Sequence, residues 1–262
     1  MSIKGDDHER VSNLKLIRPV VWPSINGQSL KPSNVHAILA YYPASSGLNL
    51  AGHTGTDLAL VQKARQSLQQ TLSLPRPIHW LDQVHSIDIV NLDQLHKKGM
   101  LIADGSFTQT PSLPCAVLSA DCAPLLMCDL AGTQVAAIHG GWRGLAAGIL
   151  DRAVALFQNP SQLLVSIGPC ISQVHFEVGE DVRDAFGRRS NQFFLPSKQK
   201  ANTWFGDLNG LIINELLSAG LAKNNIQTSS ICTYASPDWP SYRLDQTPLR
   251  LASLIWRDEV KS

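Results

Sequence analysis

Two stretches of this chain set chemically capable side chains between apolar runs. They are "SADCAPLLM", with Asp121 and Cys122, and "IHGGWRGLAAGIL", with His139, two glycines and Arg143. Cys122 and His139 each stand at the end of a strand-like run. Such a pair serves either as a thiolate–imidazole couple for nucleophilic catalysis or as two ligands of a borderline-soft metal such as zinc. His85, in "LDQVHS", lies near a third strand terminus, and three protein ligands with one open position is the pattern of a catalytic zinc site. The separations of 37 and 17 residues are not a local metal signature, so only the fold can bring the three together. A plainer reading stands beside this one: Asp121 stabilises a turn through its own side chain, and Cys122 is a small buried apolar residue.

Arg143 raises a separate question. A glycine turn leading into a helix leaves free N–H groups that favour an anion, and a cation in that first turn runs against the helix dipole. A bound phosphate or carboxylate would reconcile the two; a guanidinium turned to solvent would do so equally. "HFE" (His175 to Glu177) matches half of a zinc-deaminase signature, but no P-C-x-x-C follows, and the match is rejected.

The elements that must position these residues are legible from periodicity. Leu58, Val61, Ala64, Leu68 and Leu72 recur at helical spacing behind an N-cap at Asp57, predicting a helix over 58–72. Strands are expected in "NVHAILAYYP", "PIHWLDQVHSIDIV", "TQVAAIHGG", "SQLLVSIGPCI", "NNIQTSSICTY" and "RLASLIW", and "CAVLSADCAPLLMCDL" reads as strand, tight turn, strand. One helix is expected after "HGGWRG", a short one near 178–186, and another in "GDLNGLIINELLSAGL" between Asp207 as N-cap and Gly220 beyond its end. With no linker or repeat, the expectation is a polar lead-in over 1–20 and a single catalytic domain, α/β or α+β, over 21–262.

Bulk properties exclude several classes. The 262 residues are 44% apolar with a formal net charge of +1, and no basic stripe exists for nucleic acid. No stretch approaches the roughly 18–20 apolar residues of a membrane span, and the first 20 residues lack the apolar core of a secretory signal. The odd count of five cysteines points to reduced thiols and a cytoplasmic protein. A small-molecule substrate is the expectation.

In order along the chain, "LDQVHS", "ADG", "SADCAPLLM", "AAIHGGWRGLAAGIL", "SIGPCISQVHFEVGEDV" and "ICTY…SYR" make it resemble the multicopper polyphenol oxidoreductase or laccase-like family. Members of that family are also described as purine nucleoside phosphorylases and, in a bacterial branch, as peptidoglycan editing factors. The resemblance runs from Trp22 to Trp256. It implies a layered α+β fold similar to that of cysteine-hydrolase toxins, and zinc bound by His85, Cys122 and His139. It also implies phosphorolysis of adenosine, inosine, guanosine and methylthioadenosine, with deamination of adenosine. Cys122, His139 and Asp121 are then the catalytic candidates, Asp121 as an acid near the base. Arg143, Arg65, Arg243 and Gln83 are the candidates for holding phosphate or substrate. The rivals are a peptidoglycan-precursor amidase with Cys122 as nucleophile, copper-dependent phenol oxidation, and a non-catalytic scaffold. Copper ranks low because none of the eight histidines forms an H-x-H pair. The chain departs from the family pattern at Tyr42, Ala64 and Leu244, where basic or amide groups are usual.

Overall fold

The computed structural model describes residues 14–259 except 18, 19, 75, 96–98 and 100. The strands that build the two main sheets and flank the site begin with β1 (Lys15–Ile17), β2 (Val35–Tyr41), β3 (Leu81–Asp82), β4 (Ile89–Asn91), β5 (Leu101–Ile102) and β6 (Gly105–Thr108). There follow β7 (Cys115–Ser119), β8 (Ala123–Asp129), β9 (Val135–Gly140), β10 (Leu163–Ile167), β11 (Ile226–Thr228) and β12 (Leu251–Arg257). Four helices matter here: α1 (Leu58–Thr71), α2 (Trp142–Ala146), α3 (Ile149–Ala155) and α4 (Leu208–Ser218).

Two sheets are stacked face to face. One is antiparallel, in the order β1-β2-β12-β7; the other is mixed, in the order β11-β10-β8-β9-β6-β4. Alternation along single strands accounts for the layering, because successive side chains face opposite ways. Leu126 and Cys128 of β8 point into the space between the sheets, where they join Val35, Leu39, Val117 and Ile255. Leu125 and Met127 of the same strand point outward, against Leu145, Ile149, Leu150 and Leu216 of the helices. The other sheet does likewise: Ile38, Ala40, Leu118 and Leu254 pack on Ala64 and Leu68 of α1. The protein is a single α+β domain in four layers: helix, sheet, sheet, helices.

The expected helices and strands are present, with three differences. The turn in "SADC" does not join paired neighbours: β7 belongs to one sheet and β8 to the other, so Ala120–Cys122 is a corner between layers. The helix after "HGGWRG" is interrupted at Ala147-Gly148 and divides into α2 and α3. Finally, Lys15–Ile17 pairs with β2, so ordered structure begins inside the stretch expected as a polar lead-in; residues 1–13 lie outside the described residues. Leu14 shows why: it packs against the apolar cluster beneath α1.

Candidate metal centre and active site

The centre forms where both sheets end at the corner. Register sets β8 against β9, with Ala123 opposite Gly140 and Pro124 opposite His139, so Cys122 emerges beside the end of β9. His85 enters on the loop between β3 and β4, in a left-handed backbone conformation (φ 61°) that few residues of its kind adopt without support. Asp104 supplies that support. Its fully buried carboxylate accepts the backbone N–H groups of Val84, His85 and Ser86 and the hydroxyl of Ser86, at 2.6–3.1 Å.

Asp104 also holds the second histidine. Its Oδ1 lies 2.8 Å from His139 Nδ1, and its carbonyl accepts the backbone N–H of His139. With Nδ1 committed to the carboxylate, Nε2 of His139 is left to face Cys122. Burial opposes ionisation of Asp104, yet the donors from His139 and Ser86 outweigh it and keep the carboxyl below its usual range.

Close approach of the two imidazoles depends on Gly141. A Cβ there would stand 2.5 Å from the His85 ring and 3.2 Å from that of His139. A Cβ on Gly144 would meet the Ser86 carbonyl at 2.7 Å, so this glycine lets α2 lie against the His85 loop. The glycines of "HGGWRG" therefore make room for the two histidine rings and for close backbone approach.

His85, Cys122 and His139 offer ligand atoms all within 4.8 Å of one another, and the two rings meet edge to face at 4.8 Å between centroids. Cys122 Sγ is 3.8 Å from His85 Nε2. Zinc–nitrogen and zinc–sulfur bond lengths at a tetrahedral angle place such atoms about 3.5 Å apart, so the donor set fits the ion once the wider separations close by about 1 Å. Burial raises the Cys122 thiol, but His139 and His85 overcome it and bring the group below its ordinary range. Burial likewise lowers His139, and the thiolate and Asp104 reverse that and raise it. Both shifts run toward the thiolate–imidazolium form of the pair.

These residues line an open cavity of about 740 Å³, together with His53, Thr54, Gln83, Leu118, Tyr242, Gln246, Pro248 and Arg250. Gln83 is held by a two-way clamp, donating to the Leu118 carbonyl at 2.8 Å and accepting its N–H at 2.7 Å.

The other candidates lie outside that lining. Asp121, at φ 85° in the corner, accepts from Thr233 Oγ1 (2.6 Å), Ser241 Oγ (2.7 Å) and the Arg243 N–H (2.7 Å). With its carboxylate committed to these donors, it ties the 233–243 segment to the corner. Arg143 is exposed and stacks on Trp142. Arg65 donates Nε to the Leu50 carbonyl and stacks on Trp80, and burial lowers its pKa to about 10. Arg243 donates to the Glu177 carbonyl over the Phe176 ring. Tyr42 is a buried core residue whose hydroxyl donates to the Ala64 carbonyl, while Leu244 is largely exposed.

Sequence reasoning assigned no role to Asp104, His53 or Arg250. Asp104 stood inside the noted "ADG". Arg250 directly precedes the last strand and showed no signal of its own.

The model of the family described as multi-copper polyphenol oxidoreductase laccase matches residues 40–258. The chain belongs to this family. Among its relatives is the purine nucleoside phosphorylase YfiH of Escherichia coli K12, 37% identical over 244 residues, covering 92% of this chain and 98% of that one. The Pseudomonas aeruginosa purine nucleoside phosphorylase PA4543 is 38% identical, over 80% of this chain and 85% of its own. Among solved structures, Neisseria meningitidis NMB0706 superposes with a TM-score of 0.81 at 34% identity, covering 91% of this chain and 99% of that one. Despite the family's copper-based description, His85, Cys122 and His139 form the one His/Cys/Asp/Glu cluster suited to a metal among the described residues. A chain of H-x-H copper sites has no counterpart there.

Proposed function

We propose that this protein is a zinc-dependent purine nucleoside phosphorylase acting on adenosine, inosine, guanosine and methylthioadenosine, with adenosine deaminase activity in the same cavity. The observation that carries the reading is the His85–Cys122–His139 cluster at the wall of a cavity large enough for a nucleoside and its co-substrate, in a chain whose family relatives bear the phosphorylase name. His85 Nε2, Cys122 Sγ and His139 Nε2 would hold the ion. Zinc bound there supplies a Lewis acid and lowers the pKa of water toward 7.

In phosphorolysis a phosphate oxygen forms a bond to ribose C1′ as the C1′–N9 bond breaks. The electron pair leaves with the purine, which takes up a proton, giving ribose 1-phosphate and free base. In deamination water adds at C6 of adenine and ammonia departs. Asp104 orients His139 for either task, and Leu118, Tyr242 and Pro248 offer the apolar surface for a base. Among the described residues no Asp or Glu lines the cavity, so no wall carboxyl is placed to protonate the departing purine. All five cysteines are free, in keeping with a reducing cytoplasm.

A specific observation also favours the amidase reading, in which the line Asp104–His139–Cys122 is an orienting carboxylate, a base and a nucleophile. The two readings separate by inhibition. Dialysis against a chelator abolishes adenosine and inosine turnover, and zinc restores it, in the phosphorylase reading. Turnover that survives complete metal removal and yields only to thiol alkylation would favour the amidase.

A further inference from the structure

A phosphorylase needs a seat for a dianion within reach of the bound nucleoside. Arg143, Arg65 and Arg243 do not line the cavity, and Arg250 is the one Lys or Arg side chain that does. Its Nη1 donates to the carbonyls of Thr247 and Leu249, both at 2.8 Å, which fixes the plane of the guanidinium. Among the described residues, neither its Nε nor its Nη2 meets a protein acceptor, and no carboxylate pairs with it.

The backbone around it is equally anchored. Asn49, itself buried, accepts the Arg250 N–H at 3.2 Å and donates to the Pro248 carbonyl at 2.7 Å and the Thr54 hydroxyl at 2.8 Å. This binds the His53–Thr54 wall to the Pro248–Arg250 wall. The guanidinium lies over the Tyr242 ring, feels Cys122 and Asp121 only at a distance and has no carboxylate in contact; a half-buried guanidinium with a free two-donor edge suits a planar, bidentate contact to an oxyanion.

We propose that Arg250 is the anion-binding residue of the cavity and that its Nε–Nη2 edge receives inorganic phosphate opposite His85, Cys122 and His139. The identity of the anion rests on the phosphorylase reading; the seat itself rests on the cavity geometry.

The test uses inorganic phosphate on the metal-loaded protein and the variants Arg250→Gln and Arg250→Lys. Titration calorimetry with phosphate alone is expected to show binding to the wild type, weakened at least tenfold in Arg250→Gln and less in Arg250→Lys, which keeps the charge but loses the fork. In steady-state assays the KM for phosphate is expected to rise at least tenfold in Arg250→Gln, with the KM for inosine within about threefold. Phosphate should also protect Arg250 of the wild type from phenylglyoxal, read by peptide mass, a measurement that needs no variant. Wild-type phosphate binding that is lost in Arg250→Gln, in a protein that cleaves no nucleoside, supports the seat and removes the phosphorylase reading. An unchanged KM for phosphate in Arg250→Gln, absence of phosphate binding to the wild type, or unprotected Arg250 overturns the proposal.

Discussion

Asp104 accepts hydrogen bonds from the His85 loop and from the His139 ring at once, so its replacement acts on both arms of the candidate metal centre. Asp104→Asn keeps the shape but turns one acceptor into a donor facing other donors. It is expected to weaken zinc binding about 10–100-fold, measured by competition with a chromophoric chelator. Because ionised Asp104 lies below the usual carboxylate range, its contribution to stability is complete above pH 4 and is lost as acid carries the pH down through its lowered pKa. The variant is expected to lack that part of the acid dependence in thermal melts. Asp121 makes the opposite case. Asp121→Ala strands the hydroxyls of Thr233 and Ser241 and should destabilise by about 2–4 kcal/mol in urea unfolding, while the pH profile of kcat keeps its shape. A lost limb in that profile would restore Asp121 as an acid. At this scale the His85–Cys122–His139 cluster was legible mainly through the resemblance of the surrounding motifs, since cysteine and histidine at strand ends left nucleophilic and metal-binding readings open. Asp104 and Arg250 were not, since an aspartate or arginine just before a strand is ordinary until the fold shows what it faces.

Among the elements, β9 and its glycine turn carry the most consequence for the centre. Gly141→Ala would push a methyl group into both imidazoles and should lower zinc occupancy well below one per chain by mass spectrometric metal analysis, with the circular dichroism of the fold retained. Helix α1 and the strands were legible because apolar spacing reports which face is buried. The same spacing does not name the neighbouring strand, which is why "SADC" read as a simple turn and proved to be a corner between sheets. For Arg143 the sequence left two readings open on similar grounds. A position in the first turn of a helix does not say which way the side chain leaves, and here it folds back on Trp142.

For the whole molecule, the apolar layers of the two stacked sheets carry the stability and their shared corner holds the candidate metal centre. The apolar layers between and outside the sheets do not involve His85 or the metal, so apo protein should remain folded with a lowered Tm, recovered on adding zinc. The mixture of strand and helix patterns left α/β and α+β both open and the family resemblance pointed to layered α+β, whereas the stacking of unlike sheets required knowing which strands pair.

The central claim, phosphorolysis at the His85–Cys122–His139 centre, is tested most directly by chromatography of zinc-loaded protein incubated with inosine, with and without phosphate, beside Cys122→Ala. The account predicts hypoxanthine release that depends on phosphate in the wild type and disappears with zinc in the variant. Release that is independent of phosphate, or that persists in Cys122→Ala, would contradict it.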